Sequence, residues 1–136
     1  MEGVQSLFSG SGAFALSFLV SLAFLAVFVP LYSFITPYRE MTMIRAGNKA
    51  AALSLGGAIV GFVIPVGKAV AQSTGMTDLV VWAAIAFVAQ LLAYVVAAAL
   101  VPHFRTAIAD DHLASGILLA ALAVAIGILN AAAMTA

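Results

Sequence analysis

The chain has 136 residues, of which 65% are hydrophobic and 7% charged, and its mean hydropathy is +1.23. Soluble domains carry about 25% charged residues, so this composition excludes an ordinary soluble domain. The formal net charge of zero argues against a nucleic-acid-binding surface. The absence of cysteine excludes disulfides, thiolate metal sites and cysteine nucleophiles. The composition indicates a chain immersed in lipid.

Four apolar stretches are long enough to cross a bilayer, whose roughly 30 Å hydrocarbon core takes about 20 helical residues. They cover residues 12–35, 50–70, 79–101 and 113–134. None alternates apolar and polar positions as the strands of a membrane β-barrel do. The leader of the first stretch carries Glu2 and no basic residue, which disfavours a cleaved signal peptide. The sequence therefore predicts an all-α membrane protein with four transmembrane helices, forming a single integral membrane domain over residues 1–136.

Helix-terminating and helix-capping residues stand at the ends of these stretches. Proline lacks an N–H group and disfavours helix in the residue before it, so Pro37 and Pro102 are expected to end the first and third helices. Asn48 and Asp111 are expected to cap the second and fourth helices by accepting backbone N–H bonds.

The two halves of the chain align with each other, over residues 12–72 and 77–136. The matched pairs are Pro37 and Pro102, Ile44 and Ile108, Ala50 and Ala114, Leu55 and Leu119, and Ile64 and Ile128. Each half is then a two-helix hairpin, and because it contains an even number of spans, both halves insert in the same orientation. This predicts a tandem repeat with a pseudo-twofold axis along the membrane normal. The alternative is chance similarity between helices rich in Ala and Leu.

The basic residues are distributed unevenly between the two sides of the membrane. Arg39, Arg45 and Lys49 lie between the first and second spans, Arg105 lies between the third and fourth, and the opposite side carries only Lys68. Basic residues in short loops stay in the cytoplasm. We therefore expect loops 37–49 and 102–112 to be cytoplasmic and both termini to lie outside.

Small residues mark the second and fourth spans as packing helices. Between helices in lipid, small residues favour association because they let backbones approach. The residues expected to pack are Gly57, Gly61 and Pro65 on the second span and Gly116, Ala121 and Ala125 on the fourth. The first span is bulky and expected to face lipid, with Phe14, Phe18, Phe24, Phe28 and Phe34. The second and fourth spans are thus predicted to form the centre, with the first and third outside them.

Few side chains suggest chemistry. No ionisable group lies near the midplane, and the candidate polar pocket consists of Gln90, Tyr94 and Asn130. For Gln90 the structural alternative, which we favour, is an interhelical hydrogen bond.

A cluster of His103, His112, Asp110 and Asp111 has the residue types of a divalent metal site, but a polar interfacial loop is the commoner explanation. We therefore predict no catalytic residue, no metal site and no cofactor, and we do not expect an enzyme.

Several segments resemble a known family. They are residues 32–37 (YSFITP), 48–54 (NKAAALS), 61–65 (GFVIP) and 130–135 (NAAAMT). In order and spacing they resemble the YjfL-like bacterial inner-membrane proteins, the domain-of-unknown-function 350 family, in which a two-helix unit occurs in tandem. The resemblance implies a location in the bacterial inner (plasma) membrane. Genes of this family often lie beside those for peripheral membrane-remodelling proteins, which suggests such a protein as a partner. The resemblance carries over no catalytic residue.

Two functions fit these features. The first is a non-enzymatic membrane scaffold that self-associates, as a dimer or small oligomer, through its small-residue helix faces. Its basic loops, with Arg39, Arg45, Lys49 and Arg105, would contact peripheral proteins or anionic lipid headgroups. The alternative is a small oligomeric channel or carrier for an ion or small solute, lined by Gln90 and its neighbours. Membrane lipids are partners in either case.

Overall fold

A computed structural model of the chain describes residues 2–35, 40–72 and 75–134. These residues form six helices and no strand. The helices are α1 (Glu2–Ile35), α2 (Glu40–Arg45), α3 (Lys49–Gln72), α4 (Met76–Leu100), α5 (Phe104–Ala109) and α6 (Leu113–Ala133). Four segments are long and apolar enough to span a membrane: Ala15–Ile35, Lys49–Gln72, Met76–Leu100 and Leu113–Ala133. The predicted all-α class with four transmembrane helices is confirmed.

The third predicted helix ends where proline was expected to end it. α4 stops at Leu100, and Val101 adopts an extended conformation while its N–H still donates to the carbonyl of Ala97 at 3.0 Å. Pro102 follows directly, and its ring prevents another helical turn. The matching expectation for Pro37 lies outside the described residues.

Helices α3 and α6 form the central pair of the bundle. Ala50 contacts Gly116 near one end of the pair, and Gly61 contacts Gly127 further along. Residue numbers rise together along both helices, so α3 and α6 run parallel. α4 packs against both of them with a buried face of its own, so it is less peripheral than expected, whereas α1 is the least buried span and packs mainly on α3.

The aromatic residues of α1 do not all face lipid. Phe18 and Phe34 are exposed, as predicted, but the prediction for Phe28 is wrong because its side chain is fully buried. Its ring stacks on that of Phe62 of α3, with centroids 4.2 Å apart, and meets Phe87 of α4 edge-on at 5.8 Å. A helix that faces lipid on most sides still needs one face to attach it, and Phe28 lies on that face.

The short helices α2 and α5 end in the same way. The Asn48 N–H donates to the Met43 carbonyl at 2.9 Å, and 64 residues later the His112 N–H donates to the Ala107 carbonyl at 2.8 Å. The residue before each donor has a left-handed backbone, Gly47 with φ 94° and Asp111 with φ 58°. This is the Schellman arrangement that closes helix C-termini. The local geometry agrees with the aligned halves; the pseudo-twofold axis and the repeat bounds stay predictions.

Candidate functional site: the helix core and the loop end

The α3–α6 interface is a contact between backbones. A Cβ added to Gly57 would lie 2.7 Å from the Cβ of Ala120, and one added to Gly127 would lie 2.7 Å from the Cα of Gly61. A Cβ on Gly116 would lie 2.6 Å from the carbonyl oxygen of Ala50. Ordinary contacts begin near 3.4 Å, so no larger side chain fits at these glycines without moving a helix.

Only some of the residues predicted to pack lie inside the bundle. Gly57, Gly61, Pro65 and Gly116 are buried, whereas Ala121 and Ala125 are exposed. The face of α6 that meets α3 carries Gly116, Ala120, Ala123 and Gly127, at the spacing of one helical turn. Alanine is so frequent along α6 that its pattern does not mark one face. The signal that does mark it is the pair of α6 glycines, Gly116 and Gly127, which lie about three turns apart.

Gln90 lies at the centre of the bundle. Its side chain is fully buried, and its Nε2 donates to the carbonyl oxygen of Ala123 on α6 at 3.2 Å. The same nitrogen would be 2.7 Å from a Cβ at Gly61, so the amide fits against α3 only because that residue is glycine. Its Oε1 has no hydrogen-bond partner among the described atoms. Gln90 thus ties α4 to the central pair.

The other two residues of the candidate polar pocket lie at different levels from Gln90. Tyr94 is one turn further along α4, and its ring meets Phe104 of α5 edge-on at 5.9 Å. Asn130 lies seven residues beyond Ala123 on α6, about 10 Å along the axis. The three side chains therefore do not line one common pocket.

Hydrogen bonds join the two halves at the loop end, which we define as residues 40–49 and 101–112. The Asn48 Oδ1 accepts from the N–H of Ala51 at 2.8 Å, which confirms that Asn48 caps α3. Its Nδ2 donates to the carbonyl oxygens of Ile108 at 2.8 Å and Ala109 at 3.2 Å, at the end of α5. One amide thus begins α3 and completes α5.

The prediction that Asp111 caps the fourth spanning helix, α6, is wrong. Asp111 Oδ1 accepts from the N–H of Ala50 at 2.8 Å and so caps α3 rather than α6. The residue at the N-cap of α6 is His112, whose Nδ1 lies 2.9 Å from the Ser115 hydroxyl. The left-handed backbone of Asp111 turns its carboxylate away from the helix that follows, and the parallel neighbour offers a free N–H instead.

Charged residues surround this junction. Arg45, Lys49 and Arg105 are exposed, and Arg39 lies outside the described residues. Over the described ranges, no three histidine and acidic side chains come together as a metal-binding group. His103, at the start of α5, and His112, at the start of α6, belong to different turns.

Four spanning helices around a glycine-packed core, with polar groups concentrated at one end, define a polytopic α-helical membrane protein. The profile of the family DUF350, Domain of Unknown Function, matches residues 6–134, and the chain belongs to this family. The resemblance inferred from the sequence is thereby confirmed.

Two relatives have similar length. The UPF0719 inner membrane protein YjfL of Escherichia coli (strain K12) is 35% identical over 123 residues, which cover 90% of this chain and 93% of that protein. The UPF0719 transmembrane protein YshE of Bacillus subtilis (strain 168) is 26% identical over 115 residues, 83% and 86% of the two chains. No solved structure matches the chain. The protein is a multi-pass inner-membrane protein.

Proposed function

We propose that this protein is a non-enzymatic membrane scaffold that forms a homodimer or small oligomer through α6 and binds a peripheral protein at its loop end. The observation that carries the proposal is the exposure of Ala121 and Ala125. Gly57 and Gly61 of α3 are already in contact with α6 inside the monomer. Ala121 and Ala125, one turn apart, leave a small-residue face on which a second copy can pack closely.

The buried polar side chains support a role without chemistry. Among the residues whose burial is described they are Ser54, Gln90 and Ser115. The Ser54 hydroxyl donates to the Ala51 carbonyl at 3.0 Å, and the Ser115 hydroxyl lies 2.9 Å from His112 Nδ1. Gln90 bonds to the backbone of α6. Each of these three side chains makes a contact that holds a helix or a helix end.

The loop end supplies the proposed docking surface. Arg45 and Lys49 are exposed on either side of the turn that Asn48 holds in place. With the basic loops in the cytoplasm, as the uneven distribution of Arg and Lys favours, this surface meets peripheral proteins directly. The expected partner is a peripheral membrane-remodelling protein with an acidic face.

Self-association is tested by single-molecule photobleaching of labelled protein in liposomes over a range of protein-to-lipid ratios. Replacing both Ala121 and Ala125 by Leu is expected to shift dimers to monomers, because the larger side chains keep the backbones apart. Ala26→Leu, at an exposed position of α1, is the matched control and is expected to leave the dimer fraction unchanged. A double variant that dimerises like the unmodified chain refutes the proposed interface.

Docking is tested by co-purifying peripheral proteins with the detergent-solubilised chain. A double variant with Arg45→Gln and Lys49→Gln is expected to lose the bound protein while keeping its oligomeric state. Retention of the same protein by the double variant refutes the basic loop as the docking surface.

A further inference from the structure

We propose that a cavity at the loop end binds the phosphate group of an anionic phospholipid. The cavity is open to the surface, lies between the end of α4 and the short helix α5, and has a volume of about 390 Å³. It is lined by Tyr94, Ala98, His103, Phe104, Arg105 and Thr106. Residues 103–106 of the lining lie within the loop end, but lipid binding here depends neither on self-association nor on Arg45 and Lys49, the exposed cations of the proposed docking surface.

The depth of the cavity matches the headgroup layer. Tyr94 and Ala98 lie on the last two turns of α4, which ends at Leu100. The apolar span of the helix ends there, and tyrosine is enriched at this level of membrane proteins because its ring is amphipathic. A lipid beside the end of α4 therefore presents its phosphate and glycerol to the cavity and its acyl chains to the helix below.

The wall of the cavity is held in place from inside the bundle. Phe104 is buried, and its ring meets that of Tyr94 edge-on at 5.9 Å. His103, directly before it, has a left-handed backbone with φ 56°, a conformation that non-glycine residues adopt only where the surroundings support it. With Phe104 anchored, Arg105 and Thr106 are left exposed at the rim.

Arg105 supplies the positive charge. Its guanidinium forms no ion pair with the acidic side chains that the structure describes, and Asp110 and Asp111 follow the opposite end of α5. The Asp111 carboxylate is engaged by the N–H of Ala50. A guanidinium binds phosphate oxygens in pairs, and the Thr106 hydroxyl provides a further donor.

The remaining lining favours a lipid over free phosphate. Ala98 and Phe104 give the cavity an apolar side. The glycerol and upper acyl carbons of a phospholipid can pack against this side, whereas inorganic phosphate has no carbon atoms to do so. The combination of one cation, a hydroxyl and an apolar wall at the membrane boundary fits a phospholipid with a net negative headgroup.

The test is a titration of the detergent-solubilised chain with short-chain phosphatidylglycerol, followed by native mass spectrometry. Short-chain phosphatidylcholine, glycerol phosphate and inorganic phosphate form the comparison arms. Phosphatidylglycerol is expected to bind most tightly. Arg105→Gln should weaken it at least about tenfold, since hydrogen bonds to a charged group are lost. Arg45→Gln, the matched control outside the cavity, should weaken it by no more than about fivefold, the general effect of one cation near a membrane surface.

A second pair of variants tests the cavity without changing charge. Ala98→Leu is expected to fill it and to weaken phosphatidylglycerol binding, whereas Ala99→Leu, an exposed neighbour outside the lining, is expected to leave binding unchanged. Equal effects of Arg105→Gln and Arg45→Gln, or of Ala98→Leu and Ala99→Leu, overturn the proposal. So does inorganic phosphate or phosphatidylcholine binding as tightly as phosphatidylglycerol.

Discussion

Replacing Gly57 by Ala tests whether the α3–α6 backbone contact stabilises the fold. The new Cβ would lie 2.7 Å from the Cβ of Ala120 and closer still to the Ala120 Cα. Ordinary contact begins near 3.4 Å, and the Ala120 Cα is the nearest atom, so α6 would have to retreat by about 1 Å. The obstacle is backbone, which cannot rotate away as a long side chain can.

Two destabilising effects and one stabilising effect set the change in the free energy of unfolding. Overpacking a close contact costs about 1–3 kcal/mol, and with backbone as the obstacle the upper part of that range applies. A gap of 0.5–1 Å between the helices also forfeits roughly a quarter to a half of each dispersion contact beside it. The exchange of Gly for Ala returns up to about 1 kcal/mol of helix propensity. The expected net loss for Gly57→Ala is therefore about 1–2 kcal/mol.

The neighbouring residue provides a matched control. A Cβ on Gly56 meets nothing within 4 Å, so Gly56→Ala should be neutral or stabilising by up to about 1 kcal/mol. The assay is reversible unfolding in mixed micelles of increasing dodecyl sulfate content, followed by far-ultraviolet circular dichroism. The two variants should differ by about 2–3 kcal/mol. Equal stability of Gly57→Ala and Gly56→Ala refutes the argument from close packing.

Three further predictions concern the polar groups and the topology. Asn48→Ala removes a cap and two cross-half hydrogen bonds and should cost about 2 kcal/mol in the same assay; a loss below about 0.5 kcal/mol contradicts the role of this amide. Gln90→Leu should change stability by less than about 1 kcal/mol, since one bond to the Ala123 carbonyl is lost while an unpaired oxygen is removed. It should also leave ion flux in proteoliposomes unchanged; altered flux supports a channel instead. Single cysteines replacing Arg45 and Arg105 should react with a membrane-impermeant maleimide only after the inner face of the membrane is exposed. A single cysteine near the N-terminus should instead react in intact cells. Labelling of Arg45→Cys and Arg105→Cys from different sides contradicts the topology.

The spans were predictable because hydrophobic length is a local property of the chain. The contact face of α6 was not, because Ala121 and Ala125 have the same size as the buried Ala123, and composition alone does not tell which alanines meet a neighbour. The hydrogen-bond partner of Asp111 could likewise not be predicted from the sequence. A capping side chain normally serves its own helix, and only the parallel approach of α3 makes the N–H of Ala50 available.

The candidate site shows the same division. That Gln90 forms an interhelical bond was predictable from the cost of an unpaired amide in hydrocarbon, but its acceptor on α6 depends on how close Gly61 lets the helices come. The cavity beside Arg105 depends on α5, a six-residue helix too short for hydropathy to indicate. Features within one helix can be predicted from the sequence, whereas contacts between helices can be predicted only when the packing of the helices is known.

One of the two side chains that cap the start of α3, the Asp111 carboxylate, comes from the second half of the chain. At the matching place the first hairpin has Gly47, which has no side chain to offer. Two copies of the first hairpin, paired around a twofold axis, would each keep the Asn48 cap but leave the N–H of Ala50 without the carboxylate acceptor. At this junction the two hairpins are therefore not interchangeable, because only the second carries a carboxylate at the turn.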